Sequence, residues 1–202
     1  MMRCLAICAV VLLLAVAVGG CITIEQTLKI RSDDSLVANY SYTFSTAQQE
    51  AVREALGVFS PHGTFLDEEA LKAFFAARNA EMTSYRRHDK NGVTNIQIIV
   101  IAKDARKAFS AGAFGAMRIV RKDGIVRLEV PMPPKGEREK HRARAAKLLP
   151  GASVSLTILA PRNIAISNGK QLSDEMCAWN FTSEGKNSFF DAPEILFVQW
   201  KQ

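Results

Sequence analysis

The chain has 202 residues, with 26 Lys and Arg against 20 Asp and Glu for a net charge of +6, and 48% of it is hydrophobic. That is the make-up of a globular domain, and it excludes a disordered tail, a fibrous repeat and a low-complexity chain. No repeat period is present, and no Pro/Ser/Gly-rich linker divides the chain in two.

Arg3 precedes an apolar run from Cys4 to Val18, and Gly19-Gly20 follows it. A charged start, a short apolar stretch and a small-residue pair are the parts of a secretory signal. The run is about 15 residues where about 20 are needed to span a bilayer, which argues against an uncleaved membrane helix. Val18-Gly19-Gly20-Cys21 resembles the lipobox of bacterial lipoproteins. The resemblance implies that residues 1–20 are removed and that Cys21 becomes the new N-terminus, its thiol carrying a diacylglycerol and its amino group a further acyl chain such as palmitate. Two or three chains hold a domain on a membrane where one is marginal. The expected location is the exported side of a bacterial cell envelope; in a Gram-negative host, Ile22 in place of Asp after the Cys resembles the sorting pattern for the periplasmic face of the outer membrane. An ordinary secretory signal, with Cys21 an incidental thiol, is the alternative.

Residues 21–202 are then one tethered domain, long enough for a proper core. Cys4 and Cys8 leave with the signal and Cys21 is committed to lipid, so Cys177 has no thiol partner within the chain. It lies in the strand-like stretch Met176 to Phe181, far from any His, and is expected as a buried small hydrophobe rather than a nucleophile.

Ile22 to Arg31 alternates apolar and polar, a half-buried strand, and Ser32 to Ser35 turns it into the returning strand Leu36 to Phe44. Asp33-Asp34 are expected as turn formers rather than paired catalytic acids. Ser45 or Thr46, with Gln49, predicts a capping box for a helix through Ala51, Val52, Ala55, Leu56 and Phe59, ended by Ser60-Pro61-His62-Gly63. A second helix is predicted from Asp67-Glu68-Glu69, carrying Leu71, Phe74, Phe75 and Met82 inward and closing at Arg86-Arg87. Lys90-Asn91-Gly92 turns into Val93 to Ala102, whose apolar residues at both parities predict a central strand covered on both faces.

Asp104 to Ser110 predicts a short helix with Ala105, Ala108 and Phe109 inward, followed by a link through Gly112 and Gly115. Met117 to Arg121 and Ile125 to Val130 flank Lys122-Asp123-Gly124, a strong hairpin signal. Pro131, Pro133 and Pro134 lead into a charged helix, Gly136 to Leu149. Ala152 to Leu159, Asn163 to Ser167, Met176 to Phe181 and Glu194 to Trp200 are further strand candidates, with Asn168-Gly169 a turn. The pattern predicts one α+β domain: an antiparallel sheet of about eight strands, curved or split, with helices packed on one face.

Several pieces together resemble the LppM-type family of bacterial lipoproteins. They are the hairpin directly after the lipid Cys, Arg121 to Gly124, Leu149-Pro150-Gly151, the run Ala160 to Gly169, and Trp179-Asn180-Phe181. The resemblance implies an α+β envelope lipoprotein and carries over no catalytic residue. Members of that family can carry a membrane segment after the domain; here Gln202 follows a strand.

Enzyme signatures are missing from the sequence. His62, His88 and His141 fit no metal-ligand spacing, and there is neither a Gly-x-Ser-x-Gly elbow nor a phosphate-binding glycine loop. No catalytic residue, metal or cofactor is therefore assigned. Charge is the one feature above background: between Lys103 and Lys147 there are 13 Lys and Arg against 5 Asp and Glu. The densest part offers Lys135, Arg138, Lys140, Arg142, Arg144 and Lys147 as contacts for an anionic surface, either lipid headgroups or an acidic envelope polymer. The competing reading is a solvated helix face braced by Glu137–Lys140 and Glu139–Arg142 pairs. Nucleic acid is not an expected partner for an exported domain. Three functions compete: a non-enzymatic envelope module that binds lipid, another envelope component or a protein; a carrier holding an acyl chain between the sheet and the Phe74/Phe75 helix; and an enzyme of unrecognised type.

Overall fold

A computed structural model describes residues 22–53, 65–148 and 150–202, with 144–148 described by backbone alone. The lipobox, Cys21, His62 and the first predicted helix beyond Arg53 lie outside those residues.

The opening hairpin forms as its alternation predicts. β1 (Thr23–Ile30) and β2 (Leu36–Ser45) pair antiparallel from Thr23 opposite Thr43 to Ile30 opposite Leu36. In the turn, Asp33 Oδ1 accepts the backbone N–H of Ser35 at 3.0 Å while Asp34 adopts φ 64°, so the acid pair shapes the chain. The capping box does not form. Thr46–Gln48 is a single 3-10 turn without a side-chain cap; the Thr46 hydroxyl meets that of Thr94 at 3.0 Å, and Gln49 Oε1 accepts from Arg87 Nη2 at 2.8 Å. Partners from distant strands have replaced the local reciprocal pair.

The second helix is much shorter than predicted. α1 spans Glu68–Ala76, with the Asp67 carboxylate accepting the Ala70 N–H at 3.0 Å, and it buries Leu71 and Phe75. It stops because Asn79 turns left-handed at φ 59°, returning the Ala80 N–H to the Phe75 carbonyl at 3.1 Å. Met82, Arg86 and Arg87 therefore belong to a strand, β3 (Glu81–Lys90), rather than to the helix. Periodicity hides this strand. It buries little besides Met82, and its register shifts between Met82 and Ser84, so the extra residue resets which side chains face inward.

Asn91 and Gly92, both at positive φ, turn the chain into β4 (Val93–Ala102). β4 is central but covered on one face only: Ile96, Ile98, Val100 and Ala102 are buried, whereas Ile99 is 36% exposed. The prediction of cover on both faces is thus corrected. α2 (Ala105–Ser110) is capped by Asp104 and buries Ala105, Ala108 and Phe109 as their spacing requires. β5 (Arg118–Lys122) and β6 (Ile125–Pro131) follow, and Asp123 (φ 51°) and Gly124 (φ 73°) make the tight turn between them. α3 (Lys135–Leu148) leads to β7 (Ser153–Leu159), β8 (Ile164–Ser167), β9 (Lys170–Ser173), β10 (Met176–Thr182) and β11 (Ile195–Lys201).

The fold is α+β, and its strands, more than the eight or so expected, are split into two sheets. A seven-stranded sheet runs in the order β3-β4-β2-β1-β7-β10-β9, and a four-stranded sheet in the order β5-β6-β11-β8. The larger sheet is mixed rather than antiparallel, because β1 and β7 run parallel, from Thr23 beside Ser153 to Lys29 beside Leu159. A strand's alternation is the same in either direction, so only the intervening connection decides this. Both sheets contribute to one core, in which Leu28, Tyr40 and Ile98 of the larger sheet join Phe75, Phe109 and Phe114 and then Leu128, Val198 and Trp200 of the smaller. α1 and α2 bury residues in that core, whereas α3 docks elsewhere.

Candidate functional site

α3 owes its position to two arginines that sequence spacing makes look solvated. Arg138 is only 1% exposed, and its Nη1 donates to the carbonyls of Phe189 at 3.0 Å and Ala192 at 2.8 Å. Those carbonyls belong to a 3-10 turn, Phe189–Asp191, and to the residue that ends it; Ser188, just before the turn, accepts the Phe190 N–H on its Oγ. One helical turn further on, Arg142 donates to Asp191 Oδ1 at 2.8 Å and to Glu139, with its guanidinium 5.1 Å from the centre of the Phe190 ring. The hydrogen bond from Arg142 holds the Asp191 carboxyl below its ordinary range, and Asp191 in turn raises Arg142.

The six candidate surface residues therefore separate. Arg138 is buried and is not a surface group, and Arg142 is engaged with Glu139 and Asp191. Lys135 and Lys140 are exposed. The side chains of Arg144 and Lys147 lie outside the described residues. Of the two predicted braces, Glu139–Arg142 forms at 2.9 Å.

The parallel pair places this helix relative to the start of the domain. α3 ends at Leu148, and the strand that follows begins at Ser153, whose N–H donates to the Ile22 carbonyl at 2.8 Å. The C-terminal end of the basic helix is thus only a few residues of chain from the neighbour of Cys21.

A second feature is the face of the seven-stranded sheet turned away from the core. Registers place side chains of that parity in three polar rows: Asn95–Thr43–Thr23–Ser153–Thr182, then Gln97–Ser41–Glu25–Ser155–Asn180, then Ile99–Asn39–Thr27–Thr157–Ala178, of which Ala178 is buried; a largely apolar row, Ile101–Val37–Lys29–Leu159–Met176, lies beside them. Twelve of the fifteen positions in the polar rows carry a hydroxyl or an amide, and only Glu25 among them carries a charge. His88, Arg86 and Ser84 of β3 flank the rows. Thr43 Oγ1 donates to Asn95 Oδ1 at 2.8 Å, and Ser153 Oγ donates to Thr23 Oγ1 at 3.4 Å. A hollow of about 300 Å³ opens on this face over β1, β2, β4 and β3, with Glu25, Asn39, Ser41, Arg86, Gln97 and Ile99 among its lining. Sequence reading saw the polar parity of the first strand but could not align the rows, because that requires the register.

Cys177 is fully buried, and burial pushes its thiol up in pKa. His88 is exposed on β3 and His141 lies on α3. Among the described residues no three His, Cys, Asp or Glu are grouped to hold a metal ion, and no helix is long and apolar enough to cross a membrane.

No family model matches this chain, and no curated protein matches it. Among solved structures, the folded domain of the LppM protein of Mycobacterium tuberculosis, determined by NMR, is similar over 91% of this chain and 91% of that one, with a TM-score of 0.52 and 13% sequence identity. At that identity the likeness is one of fold, and it agrees with the resemblance carried by the turn and core residues above.

Proposed function

We propose that this protein is a lipid-anchored module of the bacterial cell envelope, held through Cys21, with no catalytic chemistry of its own, and that α3 lies against anionic lipid headgroups. The observation that supports this reading most is the β1–β7 pairing, which puts the end of a lysine- and arginine-rich helix within a few residues of chain of Ser153, the partner of the residue after Cys21. A tether keeps that helix close to a membrane, where each well-placed Lys or Arg contributes about 1 kcal/mol of attraction to an anionic surface. Screening over about 8 Å at physiological salt confines the benefit to a face held against the headgroups.

The titration pattern supports a non-catalytic reading. The carboxylates shifted downward serve turns, caps and pairs: Asp33 is held down by the Ser35 hydroxyl and then its N–H, Asp104 by the Lys107 N–H, Asp89 by the Thr94 hydroxyl and then Arg87, and Asp191 by Arg142. The carrier reading is less favoured. Space between α1 and the sheet is taken by Phe75, whose ring stands 6.3 Å from Tyr40 and 6.2 Å from Phe114.

Two measurements test the proposal. Cells fed a labelled fatty acid should incorporate it into the wild-type chain and not into Cys21→Ser; equal labelling removes the anchor. For α3, a spin label on Ala143→Cys is selective, because Cys177 is buried. In the lipidated protein in nanodiscs, the label should become protected from aqueous relaxers with phosphatidylglycerol and not with phosphatidylcholine. Salt, or Lys135→Glu with Lys140→Glu, should abolish that protection. An identical signal in both lipids would refute the headgroup contact.

A further inference from the structure

The open sheet face is independent of α3 and of the anchor, and its chemistry is unusual for a surface that only meets water. Solvated faces of a chain that is 23% charged ordinarily carry Lys, Glu and Arg. Here the three aligned rows hold a single carboxylate, Glu25, and the flanking Arg86 of β3 sits opposite Gln97 in the register. Asn is also a poor strand former, yet Asn39 and Asn95 occupy interior strands of this sheet.

Side chains of this kind match a particular ligand chemistry. Asn and Gln each offer two donors and an acceptor, and Ser and Thr hydroxyls act as both. Strands spaced about 4.8 Å apart repeat those groups across the sheet, so a ligand presenting hydroxyl or acetamido groups at intervals can be met at several points. The hollow of about 300 Å³ gives such a ligand a seat, at the lower end of the usual range for binding pockets. Ile99, exposed at its rim, offers an apolar surface to the C–H face of a sugar ring. Glu25 and Arg86 are the only charged residues lining the hollow, so the hollow itself has little net field, which disfavours nucleic acid or an anionic polymer as its occupant. Its hydroxyls disfavour an acyl chain.

We infer that the outward face of the seven-stranded sheet, centred on Asn39, Ser41 and Gln97, binds a neutral glycan chain.

Full-length protein in detergent is titrated with chitohexaose and with cellohexaose, and binding is followed by calorimetry and by backbone amide shifts. Saturable binding of at least one, with shifts concentrated in β1, β2 and β4, is expected. Asn39→Val with Ser41→Val and Gln97→Val should weaken it by about tenfold or more, since several hydrogen bonds of about 1 kcal/mol each are lost. The same variant should match or exceed wild type in thermal stability, because Val is the better strand residue. Asn39→Thr with Gln97→Thr removes both amides without enlarging the apolar surface, and it should also weaken binding should the Val variant aggregate. Lys135→Glu with Lys140→Glu should leave glycan binding unchanged. The inference is overturned if neither oligosaccharide binds saturably, or if both face variants bind like wild type. It is also overturned if heparin competes for the same shifts and is released by salt, which would mark an anion site.

Discussion

The indole Nε1 of Trp179 donates to Oδ1 of Asn168 at 3.2 Å, and the bond joins the two sheets. Trp179 belongs to β10 of the larger sheet, while the same Asn168 oxygen accepts the N–H of Phe197 at 2.9 Å and Asn168 Nδ2 donates to the Ile195 carbonyl at 2.8 Å, both on β11 of the smaller. One side chain thus satisfies three groups that the change of sheet between β8 and β9 would otherwise leave to water. Asn168→Ala should cost about 1 to 2 kcal/mol, because the bond from Trp179 is partly buried while the two to β11 are exposed. Asn168→Asp, which keeps the acceptor, should cost less. Denaturant midpoints of the two variants test the order; equal midpoints would show that the shared oxygen is not the tie.

The next residue is constrained by the same tryptophan. A Cβ built on Gly169 would lie 2.5 Å from Cys177 Sγ and 2.5 Å from Trp179 Cε2, closer than packed atoms come. Gly169→Ala should therefore destabilise by about 1 to 3 kcal/mol through overpacking. Cys177→Ala opens half of that contact, so the double variant should be less destabilised than the sum of the singles. Strict additivity in chemical denaturation would mean that the clash lies elsewhere.

Where residues carry their own conformational instruction, the sequence was readable: the alternation of β1 and β2, Asp123-Gly124, and the Ala105/Ala108/Phe109 stripe all form as spaced. Legibility failed where a distant partner decides. β3 reads as helix because Phe75, Met82 and Arg86 fall at helical spacing, while its strand identity depends on Asn79 turning left-handed and on pairing with β4. The parallel β1–β7 pair and the polar rows follow from registers that no single strand encodes. The basic helix was visible as composition, but Arg138 and Arg142 resemble solvated charges until the Phe189–Asp191 turn is brought against them. The reading of Cys21 rests on its local motif alone, and that residue lies outside the described residues.

The hairpin at Asp123-Gly124 gives a prediction about backbone alone. Gly124 sits at φ 73°, and a Cβ added to it would meet nothing within 4 Å, so any cost of substitution is conformational. Gly124→Val should lose about 1 to 3 kcal/mol, because a β-branched residue resists positive φ. Gly124→Asn, which tolerates the left-handed region, should lose less. The difference between their thermal midpoints checks this, and a Val variant as stable as the Asn variant would contradict it.

Arg138 and Lys140 are two residues apart on α3 and should behave oppositely. Arg138→Ala strands two carbonyls in a buried setting and should cost about 2 to 4 kcal/mol; Arg138→Met keeps part of the packing and should cost less. Lys140→Ala, at an exposed position, should change stability by no more than about 0.5 kcal/mol. Thermal unfolding of the three variants separates a helix pinned through Arg138 from one resting on its charges.

Acid should release the helix through Asp191. Its carboxyl is held below the ordinary range chiefly by the hydrogen bond from Arg142, so the folded state binds this proton less readily than the unfolded chain. A carboxyl shifted in that direction stabilises the fold above its unfolded pKa, and the contribution is lost as pH falls through the lower, folded value. The loss should therefore begin from about pH 4 and continue below it. Asp33, Asp89 and Asp104 are shifted the same way and will destabilise the whole domain over a similar window, so a local readout is needed. A spin label on Ala143→Cys should gain mobility over that range in the otherwise wild-type chain. With Asp191→Asn added, the label should already be more mobile at pH 7 and should lose most of the pH-dependent change. Superimposable mobility curves for the two proteins would show that the Arg142–Asp191 pair does not hold α3 to the turn.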